Sequence, residues 1–292
     1  MTLDEYQNEA AKTDKQKGKT EEGLIVPLLG LAGETGSLLT LYKKWMRDGD
    51  AYQVLGSRIA EELGDVLWYV ATIAGKAGLS LSEIGDLNLK KTKARWLEQK
   101  GPGRFFDEGF PEGEQLPRKF VAEVRDFQEG NKRKTELVID GEQAGDHLTD
   151  NAYSDDGYRF HDVFHLSYAA MLGWSPVLRA NLERKRKSDK LVDEVEDGGR
   201  AIAIEEGIAA LVFTYAKEHS FFENVSVVDW GILRTCHDMA AHLEVSQRSL
   251  YEWEQAILAG YRVWRAIRAN GGGFIQCDLA SRVFEYSERS GN

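Results

Sequence analysis

Cysteine and proline are both scarce in this chain: two cysteines, Cys236 and Cys277, and five prolines in 292 residues. Two thiols exclude a disulfide scaffold and a thiolate zinc cluster. The shortage of proline leaves long stretches free to be helical, and apolar residues recur at helical spacing, so the expected fold class is all-α. Basic charge is also in deficit: 37 Lys and Arg stand against 48 Asp and Glu, a net charge of −11. That balance argues against a general nucleic-acid or anionic-membrane binder. Nothing approaches the ~18 uninterrupted apolar residues of a spanning helix, so no membrane segment is expected. The opening MTLDEYQNEAAKTDKQKGKT has no signal-peptide core, which predicts a cytoplasmic protein. With 42% hydrophobic and 29% charged residues the composition is that of a folded protein, and the length allows two domains.

The most informative stretch is Arg58 to Gly78, RIAEELGDVLWYVATIAGKAG. Ile59, Leu63, Val66, Leu67, Val70, Ile73 and Ala74 recur at helical spacing and predict one buried stripe. At about 100° per residue, Glu62 falls beside that stripe and Asp65 a little further round, with Glu61 adjacent. A carboxylate at the edge of a core face is costly without a partner, and a cation is one such partner. Arg58, four residues before Glu62, is the alternative. Upstream, Glu21 to Trp45 reads as a second amphipathic helix with Glu34 at the edge of its apolar face. Gly30, Gly33 and Gly36 lie inside it, each costing roughly 1 kcal/mol against Ala, which points to close helix packing or close ligand approach. With a short helix over 3–13 and another running to about Gln99, the first hundred residues read as four helices on which Glu34, Glu62 and Asp65 converge.

GLAGETGSLL followed by EELGDVLWYVATIAGKAGLSL resembles the MazG-like nucleoside triphosphate pyrophosphohydrolases of the all-α NTP-pyrophosphatase superfamily. The family pattern is Glu-x-x-Glu, a variable gap, then Glu-x-x-Asp. Its second half stands complete as Glu62-Leu-Gly-Asp65, whereas its first half stands as Glu34-Thr-Gly-Ser37, with Ser in place of the second Glu. The resemblance covers about residues 21–97 and extends into NLKKTKARW. It implies hydrolysis of a ribo- or deoxynucleoside triphosphate to monophosphate and pyrophosphate. It further implies Mg²⁺, with Mn²⁺ as a substitute, on Glu34, Glu62 and Asp65, with Glu61 as auxiliary ligand or base, and assembly into a homo-oligomer, dimer or tetramer. Candidate substrate contacts are Lys44, Lys91 and Arg95 for phosphate and Tyr69 for the base, each competing with an ordinary solvated or core role. A nucleotide sensor that binds without turnover is the alternative that Ser37 suggests.

Residues 101–117, with three of the five prolines, read as a linker. Residues 118–292 then form a second, mainly helical domain with one short β-hairpin predicted near 119–140, and helical pattern from Gly207 to Glu288. Within it His161 and His165 stand four apart on one helical face beside Asp162, and Glu205-Glu206 on a later helix could complete a metal site. A metal-dependent hydrolase working from that cluster is the third functional reading, against the plain one of hydrogen-bonded helix-edge histidines. The run Arg184-Lys185-Arg186-Lys187 followed by DEVED reads as a solvated loop, with a phosphate or RNA contact as its functional alternative.

Overall fold

Gly78 ends the acid-bearing helix because the chain there turns through φ 73°, a left-handed conformation suited to glycine, and its N–H bonds back to Ala74 O and Gly75 O. This helix, α3 (Leu55–Ala77), belongs to the first of two units, Met1–Lys93 and Ala94–Asn292, into which the computed structural model divides. The structure describes residues 1–15, 21–96 and 104–288, without the side chains of Glu21, Glu22, Asp50, Lys91 and residues 94–96.

The first unit holds α1 (Leu3–Thr13), α2 (Glu21–Asp48), α3 and most of α4 (Leu81–Trp96). Thr2 and Glu5 form a capping box that starts α1. Asp4 and Gln7 then tie α1 to the start of α4: Asp4 Oδ1 accepts from Ser80 Oγ and Ser82 N, and Gln7 Oε1 accepts from Leu81 N. Trp68 donates to Thr13 Oγ1 at 2.7 Å and packs beside a small core of Ala10, Ala71, Ala74 and Leu81. Much of the predicted stripe is left uncovered in a single chain: Leu63 and Leu67 on α3 are exposed, as are Ile25, Leu28, Leu29 and Leu39 on α2. By length and composition, Gly23–Asp48 is apolar enough to cross a membrane, which corrects the expectation that no segment qualifies.

The glycines of α2 separate by packing. A Cβ at Gly30 would overlap the Tyr69 ring, whereas one at Gly33 or Gly36 would meet nothing within 4 Å. Gly30→Ala is therefore expected to destabilise the first unit by about 1–3 kcal/mol through overpacking. Gly33→Ala, at an open helical position, is expected to stabilise it by about 1 kcal/mol. Thermal unfolding of the two variants checks the opposite signs; equal shifts would show that Tyr69 does not rest on α2.

The second unit corrects the all-α expectation. It contains a five-stranded antiparallel sheet in the order β3-β2-β1-β4-β5, built from β1 (Lys119–Glu129), β2 (Lys132–Ile139), β3 (Glu142–Gln143), β4 (Gly272–Asp278) and β5 (Val283–Ser287). The hairpin expected near 119–140 is β1 and β2, in register from Ala122 opposite Ile139 to Glu129 opposite Lys132. Strands β4 and β5 occupy part of the stretch read as helical, and β4 pairs with β1 from Lys119 opposite Asp278 to Arg125 opposite Gly272. Phe120, Ala122 and Val124 alternate inward along β1. They join a core with α5 (Asp162–Leu172) and α10 (Leu250–Asn270), whose Trp253, Tyr261 and Trp264 are buried. Helices α6 (Pro176–Asn181), α7 (Lys190–Val195), α8 (Gly199–Glu218) and α9 (Trp230–Met239) complete the unit.

Over its described residues, 104–117, the expected linker is part of this unit: Asp107 and Leu116 are buried, and Asp107 accepts from Leu116 N, Arg118 and Arg179. Arg186 of the basic run is buried too, paired with Asp197 and Glu244, so it is neither solvated nor free for phosphate.

Candidate functional site

Two clusters gather metal-ligating side chains. In the first unit, Glu34 on α2 meets Glu62 and Asp65 on α3, one ligand oxygen from each lying within 4.8 Å of the others. Glu62 and Asp65 share a face because they are three residues apart on one helix, and the packing of α2 on α3 brings Glu34 to them. Partial burial, then the hydrogen-bonded Glu34 carboxyl and its charge, hold Glu62 above the ordinary carboxylate value. Among the described residues no cationic side chain pairs with any of the three; Arg58 pairs with Glu61 at 2.9 Å instead. Glu61 is exposed and lies outside the trio. Ser37 stands one turn beyond Glu34 and offers a hydroxyl where a fourth carboxylate would add charge.

The expected substrate contacts do not all gather here. Lys44 is exposed ten residues along α2 from Glu34, about 15 Å by helical rise. Tyr69 lies against Gly30 and edge-on to Trp68, at 5.0 Å between ring centroids. The side chains of Lys91 and Arg95 fall outside the described residues.

In the second unit, His161 and His165, at the start of α5 and one turn on, face Glu206 on α8, again with one ligand atom from each within 4.8 Å of the others. Glu205 is not in this trio. Its buried carboxylate accepts from Ser175 Oγ at 2.6 Å and Val177 N at 2.8 Å, and lies 2.9 Å from His165 Nδ1. Asp162 is likewise outside the trio. Burial opposes charge on His165, but Glu205 and Glu206 outweigh it and push its pKa up to about 10. Burial, with His165 beside it, lowers that of His161. Tyr158, which the sequence did not mark, stacks on His161 at 4.5 Å between centroids. Ser175 was also missed; its only sequence signal is the Ser-Pro start of α6, where it caps Leu178 N.

Residues 102–290 match the family described as the MazG C-terminal domain. The chain belongs to that family. The MazG C-terminal domain thus takes in the sheet, helices α5 to α10 and the His161–His165–Glu206 trio. The chain is also similar to the Gene 37 protein of Mycobacterium phage L5, at 37% identity over 101 residues covering 32% of this chain and 89% of that protein. No solved structure matches.

Proposed function

We propose that this chain is a Mg²⁺-dependent nucleoside triphosphate pyrophosphohydrolase of MazG-like type, working from Glu34, Glu62 and Asp65. The observation that carries the reading is the convergence of three carboxylates from two helices with no described cationic partner, in a chain that ends in a MazG C-terminal domain. Three hard oxygen donors suit Mg²⁺, which keeps several waters, and a divalent cation would offset both the burial and the neighbouring carboxylate charges that raise Glu62. Bound there, Mg²⁺ would supply charge neutralisation on the triphosphate and polarise the phosphoryl oxygen. The chain's own part is to hold the carboxylates in place: α3 fixes Glu62 and Asp65 a turn apart, and Tyr69 against Gly30 seats α3 on α2.

The test is product analysis of purified protein with Mg²⁺ or Mn²⁺ and a panel of ribo- and deoxynucleoside triphosphates. Monophosphate and pyrophosphate in equal amounts are expected. Phosphate as the product, or no turnover on any member, overturns the reading; nucleotide binding without turnover would leave the sensor function that Ser37 suggests.

The same reading includes self-association of the first unit. Its exposed leucines on α2 and α3 form an apolar surface that one chain leaves in water. A second copy covers it better than a bilayer would, because Glu34 stands in the middle of the apolar helix and its carboxylate cluster would be costly at membrane depth. Sedimentation is expected to give a dimer or larger species, and Leu29→Glu to shift it toward monomer; a wild-type monomer at all concentrations removes this part of the reading.

A further inference from the structure

The histidine cluster of the second unit has a property that ordinary buried histidines lack: both rings have one nitrogen committed to an acceptor, which leaves the other directed at the same carboxylate. His165 Nδ1 lies 2.9 Å from Glu205 Oε1, and that carboxylate is held by two further donors, Ser175 Oγ and Val177 N. An acceptor so placed fixes the proton on Nδ1 and the lone pair of the neutral ring on Nε2. His161 Nδ1 lies 2.9 Å from the Tyr158 carbonyl, which can only accept, so its lone pair is also on Nε2. Tyr158, stacked on the ring at 11° between planes, keeps His161 in that orientation.

Both Nε2 atoms look toward Glu206. His165 Nε2 is 3.5 Å from Oε1 and His161 Nε2 is 3.7 Å from Oε2. His165 is 2% exposed, and its Nε2 has no hydrogen-bond partner in the structure. A proton there would be a buried donor without an acceptor in bonding geometry, and a lone pair there faces a carboxylate. A cation between the three groups resolves both cases. Ligand bonds of about 2.0–2.1 Å in a tetrahedron put ligand atoms about 3.3 Å apart; one atom from each of the three groups already lies within 4.8 Å of the others, and each ring nitrogen is 3.5–3.7 Å from one carboxylate oxygen.

We infer that His161 Nε2, His165 Nε2 and the Glu206 carboxylate form a Zn²⁺ site. Two imidazoles and one carboxylate suit zinc rather than magnesium, which prefers oxygen ligands. Glu205 acts behind His165 as the carboxylate that orients a ligating imidazole. Glu206 is the part-exposed member of the trio, and three protein ligands leave a fourth position for water. This site is independent of the carboxylate cluster of the first unit.

The test uses the full chain stripped of metal, with excess Mg²⁺ present to occupy the carboxylate cluster, and titrates first Co²⁺ and then Zn²⁺. One equivalent of Co²⁺ is expected to give the visible absorption of a four-coordinate, nitrogen-ligated ion, and one equivalent of Zn²⁺ to bleach it. Glu206→Gln and His161→Gln are each expected to weaken Zn²⁺ binding about 100-fold, while Glu62→Gln leaves it unchanged. Far-ultraviolet circular dichroism confirms that the helices persist; Glu206 is partly exposed, so Glu206→Gln carries the test if His161→Gln unfolds. No Co²⁺ band, or Zn²⁺ uptake that survives Glu206→Gln, overturns the site and leaves a plain histidine–glutamate pair.

Discussion

Glu62→Gln and Asp65→Asn are each expected to lower pyrophosphate release by about two to three orders of magnitude, with the protein still folded. Each replacement keeps the shape of the side chain and removes a charged oxygen from a trio within 4.8 Å. On the proposed reading each of the three carboxylates is a ligand, and Ser37 carries no charge to replace one of them. Glu62→Gln should also stabilise the metal-free chain slightly, because burial, Glu34 and Asp65 all disfavour a charge at this position. Loss of turnover with unchanged or raised thermal stability therefore distinguishes a ligand from a structural residue. Loss of both together, or turnover near that of the wild type, would remove Glu62 and Asp65 from the chemistry.

The first-unit cluster was legible in the sequence because its parts are local. Glu62 and Asp65 lie three apart on one helix and Glu34 on the helix before it, so helical period puts each beside its own helix's apolar face, and packing of those faces brings them together. The i,i+4 spacing offers Arg58 to Glu62, whereas the structure pairs it with Glu61, three residues on. The sheet was half legible for a related reason. A hairpin advertises itself through EGNKR between two alternating runs, but β4 pairs with a strand about 150 residues earlier, and no local signal records a partner at that distance. The short β4 and β5 follow straight after α10 and interrupt the helical pattern expected to run to Glu288; Gly271, at φ 67°, is the stop signal. The basic run misled because its partners are also remote. Arg186 reads as solvated beside Lys185 and Lys187, yet Glu244 lies 58 residues away in sequence and meets its guanidinium at 2.8 Å.

That ion network carries the second large expectation. Asp197→Ala is expected to destabilise the second unit by about 3–5 kcal/mol, whereas Glu108→Ala, which breaks the exposed pair with Arg104, is expected to change stability by less than about 0.5 kcal/mol. Asp197 is fully buried and accepts from Arg186 N, Nε and Nη2, and Arg179 Nε lies 3.7 Å away. Removing it leaves two buried guanidiniums near each other with the counter-charge they share gone. Burial and Arg186 already lower the pKa of Arg179, so the repulsion is present even in the intact network. Asp107, the other acidic partner of Arg179, gives the pH dependence. Burial alone would raise its carboxyl, but Arg118, Arg179 and Leu116 N outweigh burial and hold it below the ordinary value. A depressed folded-state pKa contributes stability that is present above the unfolded value of about 3.9 and is lost as pH falls through the folded value. Acidification below about pH 4 should therefore weaken the second unit, and Asp107→Asn should flatten that dependence while weakening it at neutral pH. Hydrogen exchange of the α10 amides reads the second unit by itself, even where the two units unfold in separate steps. If Asp197→Ala left those amides within about 1 kcal/mol of their wild-type protection, Glu244 and Asp107 alone would suffice for both arginines, and Asp197 would not be the centre of the network.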